Sequence, residues 1–205
     1  MDIMKIILQA KDITLNPKGA LKKLKDEKIT KQDLIIYLAI VAFPILIGVI
    51  IGQGVVGTSF GWGWYAAVFR VPLGWAVAWG IVQYIMMIIG VIVFGYVFNM
   101  LAPSFSSKQN LMQSMKLVAY ALTPLLLAGI LNIYPPIAIL QLVALIYSLY
   151  ILYMGLPIYL GTPDDKRIVY MIISIIIYAV IFFVISWIVN TAMWGIIGNP
   201  FIGPW

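Results

Sequence analysis

Few side chains in this chain of 205 residues could do chemistry, and their types restrict what that chemistry is. Cysteine and histidine are both absent. Thiolate metal sites, disulfides, Cys or His nucleophile–base pairs and imidazole proton relays are therefore excluded together. The sequence has no HExxH and no Walker A pattern, and its long apolar stretches hold no acidic residue that could pair with a serine or bind a metal. The chain reads as a non-enzyme that uses no cofactor and no metal. What is left is a set of polar groups beside helix breakers. Tyr120 and Thr123 precede Pro124, Gln83 lies in another apolar stretch, and Arg70 is the lone charge of a connection rich in Gly and Trp. Proline inside a helix frees a backbone carbonyl and bends the chain. Pro44 and Pro124 could thus open helices around Tyr120, Thr123 and Gln83 and let a small neutral or amphiphilic solute pass, with Arg70 as the gate charge. The plainer role of Arg70 is an interfacial anchor.

The elements that must position these residues follow from hydropathy. With 63% hydrophobic and 10% charged residues, and a mean hydropathy of +1.05, the composition is far from the soluble average of about a quarter charged. Apolar runs at 34–52, 73–101, 116–133, 136–160 and 168–190 each offer about the 20 residues that cross a hydrocarbon core of ~30 Å. The predicted fold is an all-α integral membrane protein with five transmembrane helices. It divides into a basic lead-in (1–33), a membrane domain (34–190) and a short aromatic outer tail (191–205). Asp2 and Lys5 in the mixed first segment argue against a cleaved signal, so the lead-in is expected to stay attached.

Charge sets the predicted orientation. Lys5, Lys11, Lys18, Lys22, Lys23, Lys25, Lys28 and Lys31 precede the first span, Lys108 and Lys116 flank the second connection, and Lys166 and Arg167 lie in the fourth. Arg70 alone falls opposite. The positive-inside rule puts the N-terminus in the cytoplasm and the C-terminus outside, and Trp62, Trp64, Trp75, Trp79, Trp187, Trp194 and Trp205 gather at the outer ends, the headgroup level that Trp prefers. In the lead-in, Ile3, Ile6, Ile7, Ala10 and Ile13 recur at helical spacing. Pro17 after Asn16 opens a second helix whose stripe is Ala20, Leu21 and Leu24. Both are predicted to be amphipathic helices lying on the inner leaflet, with Lys18, Lys22, Lys23, Lys25 and Lys28 on anionic lipid. That accounts for the net charge of +6 without nucleic acid as a partner.

Thr30 and Asp33 have capping-box spacing and set the first span to begin near Lys31. The connection 53–72 is predicted to pack at the interface, a re-entrant dip being the alternative. At roughly 29 residues the second span exceeds the core thickness and must tilt, bend or protrude, with Gly80, Gly90 and Gly95 as points of close helix approach. Pro124 predicts a kink in the third span, and Asn132 to Pro136 a tight turn into the fourth. There Tyr147, Tyr150 and Tyr153 share much of one face, turned to other helices or the inner interface. Gly155 and Pro157 weaken the end of that helix, and Asp164 and Asp165 cap the fifth.

From Lys116 to Gly161 the chain reads KLVAYALTPLLLAGILNIYPPIAILQLVALIYSLYILYMGLPIYLG. This segment resembles the heart of the Yip domain, with a Tyr then a Pro in span three, a Pro-containing outer turn and an aromatic span four ending in a Tyr-Met-Gly step. Upstream, LNPKGALKKLKDE resembles the lead-in of short prokaryotic members. The resemblance implies a five-span protein with a cytoplasmic N-terminus, and it marks Tyr120, Pro124 and Gly155 as family positions, none of them catalytic. Eukaryotic members look like multi-pass proteins of the early secretory pathway that associate with one another, with Rab GTPases and with vesicle-coat machinery. Their long acidic N-terminal region is replaced here by a basic one. The function this implies is a non-enzymatic organiser of membrane or partner proteins in a prokaryotic plasma membrane, the alternative being a channel or transporter. The expected partners are the bilayer with its anionic inner leaflet, further copies of the chain, or other membrane proteins.

Overall fold

Local hydrogen bonds start the helices where the sequence places them. Asp2 accepts from the Met4 N–H and Asn16 from the Gly19 N–H, opening α1 (Ile3–Leu15) and α2 (Pro17–Lys25). Thr30 and Asp33 form the reciprocal capping box that opens α3 (Lys31–Ile51). These elements come from a computed structural model, which describes residues 2–60 and 67–197. Trp62, Trp64, Trp205 and the end of the 191–205 tail lie outside them.

Helix α3 runs through Pro44 as one continuous helix. Pro44 removes the donor to the Ile40 carbonyl, and the Tyr84 hydroxyl of the next span donates to the adjacent Ala39 carbonyl at 2.8 Å. A π turn (Gly52–Val56) extends α3 until Gly57, at φ 85°, ends it. The connection that follows is not purely irregular: β1 (Thr58–Phe60) pairs antiparallel with β2 (Ala67–Phe69), with Ser59 opposite Val68. Among the described residues this short hairpin is the departure from an all-α fold.

The second span is one long helix, α4 (Leu73–Leu101), with a 3-10 extension to Phe105. The third is broken at its proline: α5 (Leu111–Ala121) meets α6 (Thr123–Ala128) and its 3-10 continuation to Ile133 at a bend of 41°. A 3-10 segment (Pro135–Leu140) leads into α7 (Gln141–Leu160), which continues through Pro157 and ends at Gly161, φ 63°. The sequence reading expected Gly155 and Pro157 to weaken that end. Helix α8 (Arg167–Ile197) starts beside an Asp164–Arg167 ion pair and runs past the predicted limit at 190 into the predicted tail. Among the described residues four helices are long and apolar enough to cross a membrane, and the bent pair, counted as one span, is a fifth candidate.

The lead-in departs most from expectation. Ile6, Ile13 and Leu21 are fully buried in the same core as Leu38, Leu117 and Ile151. Helix α1 packs on α3, α5 and α6, and α2 on α5 and α7. Of the predicted stripes, Ile6, Ala10 and Ile13 and all of Ala20, Leu21 and Leu24 face protein rather than the inner leaflet, while Ile3 and Ile7 are exposed; the lower half of α7 presents an apolar surface that α2 covers. On the opposite side of the core, Gly48 and Gly52 bring α3 against the backbone of the 129–133 segment. A Cβ at either position would overlap a carbonyl oxygen, of Gly129 or of Asn132.

Candidate functional site

Three of the predicted positions meet where the lead-in joins the bundle. Because Pro124 has no N–H, the turn around it leaves groups without helical partners. Ser148 of α7 accepts from the Leu125 N–H at 3.2 Å, while the Thr123 hydroxyl donates to the Ala119 carbonyl at 3.1 Å. Tyr37 of α3, fully buried, then donates to Thr123 at 2.6 Å. Its ring stands edge-on to Tyr120, centroids 5.1 Å apart. Tyr120, Thr123 and Pro124 thus form one packed polar joint between α3, α5, α6 and α7.

Below this joint lies a residue that sequence reasoning misassigned. Lys116, read from the sequence as an orienting charge at a span edge, is 1% exposed. Its ammonium donates to the Lys25 carbonyl at 2.7 Å and to the Glu27 carbonyl at 2.9 Å, and Gln113 adds a third donor to Lys25 at 3.3 Å. These carbonyls close the C-terminal end of α2, where helix geometry leaves acceptors without partners and concentrates negative potential. The Tyr159 ring stands 5.9 Å from the ammonium. A buried cation is tolerable when it is fully hydrogen-bonded, and here that requirement pins the lead-in to α5. The one legible signal was the placement of Lys116 four residues before Tyr120, one turn along the same helix face.

Two more contacts fasten the lead-in. Tyr147 of α7 donates to the Thr14 carbonyl at 2.8 Å. Glu27 receives the Lys5 ammonium, and the Gln9 amide at 2.9 Å, tying α1 to the end of α2. The hydrogen bond to Glu27 raises the Lys5 pKa above its ordinary value. Gly155 belongs to the same region, since a Cβ there would run into Leu117 of α5 and approach Leu21 of α2. Lys18, Lys22, Lys23 and Lys28 are exposed and Lys25 is half-buried.

Gln83 and Arg70 stand apart from this joint. Gln83 lines a cleft of about 460 Å³ between α4 and α8, with Trp79, Phe182, Ser186, Trp187 and Asn190. Arg70 is exposed beside the hairpin, its Nε donating to the Val56 carbonyl at 3.4 Å. Sequence reasoning counted GxSxG among the missing catalytic motifs, but residues 57–61, GTSFG, match its spacing. That motif works on a strand-to-helix elbow with a histidine partner. Here Ser59 is instead the middle residue of β1 in a hairpin, in a chain with no histidine.

Comparison with known proteins matches this architecture to one family. The model of the Yip1 domain matches residues 11–188. The inner membrane protein YohC of Escherichia coli strain K12 is 30% identical over 132 residues, covering 63% of this chain and 66% of that protein. The protein of the same name from Escherichia coli O6:H1 strain CFT073 gives the same figures. The chain thus spans just under two thirds of the length of the curated relatives it matches. No solved structure matches it. The family match takes in α2, the Lys116 seam, the joint at Pro124 and α8 as far as Ile188, and on that extent the chain belongs to the Yip1 domain family.

Proposed function

We propose that this multi-pass protein of the plasma membrane organises the lipid and protein around it and catalyses no reaction. The observation that carries the reading is the construction of the lead-in. A buried cation, Lys116, fixes α2 to the bundle, while Lys18, Lys22, Lys23 and Lys28 stay exposed. Basic residues held rigidly beside a bilayer attract anionic headgroups without forming a reaction centre. In this reading the lead-in faces the cytoplasm, the side that the charge asymmetry favours. The alternative, passage of a small solute, is supported by the cleft that holds Gln83, Ser186 and Asn190 between α4 and α8.

Reconstitution into vesicles of phosphatidylcholine with and without phosphatidylglycerol separates the two. The expected result is no release of entrapped ions or neutral solutes beyond that of empty vesicles, together with self-quenching of labelled phosphatidylglycerol around the protein. Solute release that a Pro124→Ala variant alters would overturn the organising role in favour of a solute path.

A further inference from the structure

The lead-in hairpin stands at a depth that its charges do not suit. The lipid-facing apolar surface on that side begins just past the charged turn 164–167, where Ile168 and Val169 are already half exposed. The same turn follows the α7 terminus at Leu160, so Leu160 marks the edge of the hydrocarbon. Tyr147 lies roughly thirteen residues before Leu160, about 20 Å of helix, and its hydroxyl reaches Thr14 at the α1–α2 turn. Part of the way down, Gly155 faces Leu21, and at the bottom Lys116 holds Lys25. The hairpin therefore runs upright along α7, and the nine residues of α2 lift its turn about 13 Å above Lys25, level with the middle of a core ~30 Å thick. Yet Lys11, Asp12 and Lys18, in the half nearest that turn, are exposed.

Bare hydrocarbon is a poor solvent for those groups, and a lysine stem of about 6 Å cannot snorkel the roughly 10 Å of helix rise from Lys18 down to Lys25. We propose that the phospholipid headgroups and water of this leaflet follow the hairpin inward, so that the bilayer is locally thinned on the lead-in side. Phosphates meet Lys11 and Lys18, which is the charge complementarity that selects headgroups as the occupant. The exposed Ile7, Leu8 and Leu15 of α1 take up the displaced acyl chains. The inference rests on the organising role proposed above and supplies its physical means.

Because the chain has no cysteine, single nitroxide labels can measure the polarity at each height. Lys18→Cys reports the hairpin turn and Leu15→Cys its neighbour. Val180→Cys, 60% exposed in the native chain, lies on α8 at about the same depth as Tyr147 by helix rise, and Ile168→Cys marks the edge. All four side chains are exposed, so the substitutions leave the packing in place. In phosphatidylethanolamine–phosphatidylglycerol vesicles, the ratio of water-soluble nickel chelate to oxygen accessibility at Lys18→Cys and Leu15→Cys should equal that at Ile168→Cys and stand well above that at Val180→Cys. A ratio at Lys18→Cys as low as at Val180→Cys would overturn the thinning. So would shielding from both reagents with dipolar broadening between labels, the sign of a second copy covering the hairpin. Either failure leaves the lipid-clustering readout of the organising role to be judged independently.

Discussion

The seam around Lys116 and the edge formed by α4 and α8 use similar residues and are held by different forces. In the seam, buried polar groups answer one another at fixed geometry, with Lys116 on two carbonyls, Tyr37 on Thr123 and Ser148 on Leu125. At the edge, contact is mainly between rings, Tyr178 stacking on Phe94 at 4.4 Å and Tyr170 on Phe105 at 4.8 Å, with one buried backbone hydrogen bond near the start of α8, from the Tyr170 hydroxyl to the Phe98 carbonyl. In α8 11% of the most apolar stretch is buried, against 44% in α3. Hydrogen bonds to backbone tolerate little displacement, whereas stacked rings slide at small cost. The half of the bundle that carries the lead-in is thus a rigid mount for it, and α8, beyond its anchor at Tyr170, is an adjustable face turned toward lipid.

The hardest blow should be Gly52→Val, at the far end of α3, the helix that also carries Tyr37 of the seam. A Cβ there overlaps the Asn132 carbonyl oxygen, and no rotamer change relieves backbone against backbone. Overpacking of this kind costs about 3 kcal/mol, read as a lowered Tm in detergent. Gly74→Ala, with nothing within 4 Å of its Cβ, is the matched control and should leave the Tm unchanged. Equal Tm values for the two variants would mean that the close approach of α3 to the 129–133 backbone does not make α3 rigid.

Next in size is Lys116→Met. The side chain keeps its length but takes away the donor that the Lys25 and Glu27 carbonyls share, leaving Lys25 with Gln113 and Glu27 without this donor, and a carbonyl left buried without a partner costs about 2 kcal/mol. The loss should fall on the lead-in first, so trypsin should cut at Lys18, Lys22 and Lys23 faster than in the native chain. Lys116→Arg, which keeps the charge, should restore part of the protection. Unchanged cutting in Lys116→Met would mean that apolar packing of Leu21 and Leu24 alone holds α2.

Spans, caps and the break at Pro124 were legible because each is a local property: apolar run length, a Thr30–Asp33 pair, a missing N–H. The depth of the lead-in was not. Ile6, Ala10 and Ile13 make the same stripe whether they meet lipid or protein, and the contact that decides between these, Tyr147 with Thr14, spans most of the chain. The two proline outcomes differ for a similar reason. Pro44 and Pro124 impose the same local defect, yet α3 carries on while α5 and α6 part, because only at Pro124 does a hydroxyl from another helix, Ser148, receive the N–H freed by the break. The Gly48–Gly52 spacing was readable as a small-residue motif, though its partner, the 3-10 segment from Gly129, was not.

The mildest test lies at the adjustable edge. In Gly90→Ala the new Cβ meets Tyr178 Oη at 2.7 Å and Phe182 Cε2 at 3.1 Å, contacts as tight in distance as many backbone clashes. Both atoms are the far ends of side chains on α8, so the helix can give way, and the expected cost is under about 1 kcal/mol. Because Phe182 also lines the cleft with Gln83, the displacement should appear there, as a longer distance between spin labels at Gln83→Cys and Asn190→Cys. A small Tm change with a shifted distance is what an edge held by sliding rings requires. A Tm loss as large as that of Gly52→Val, with the distance unmoved, would make α8 as fixed as the seam and erase the difference between the two halves.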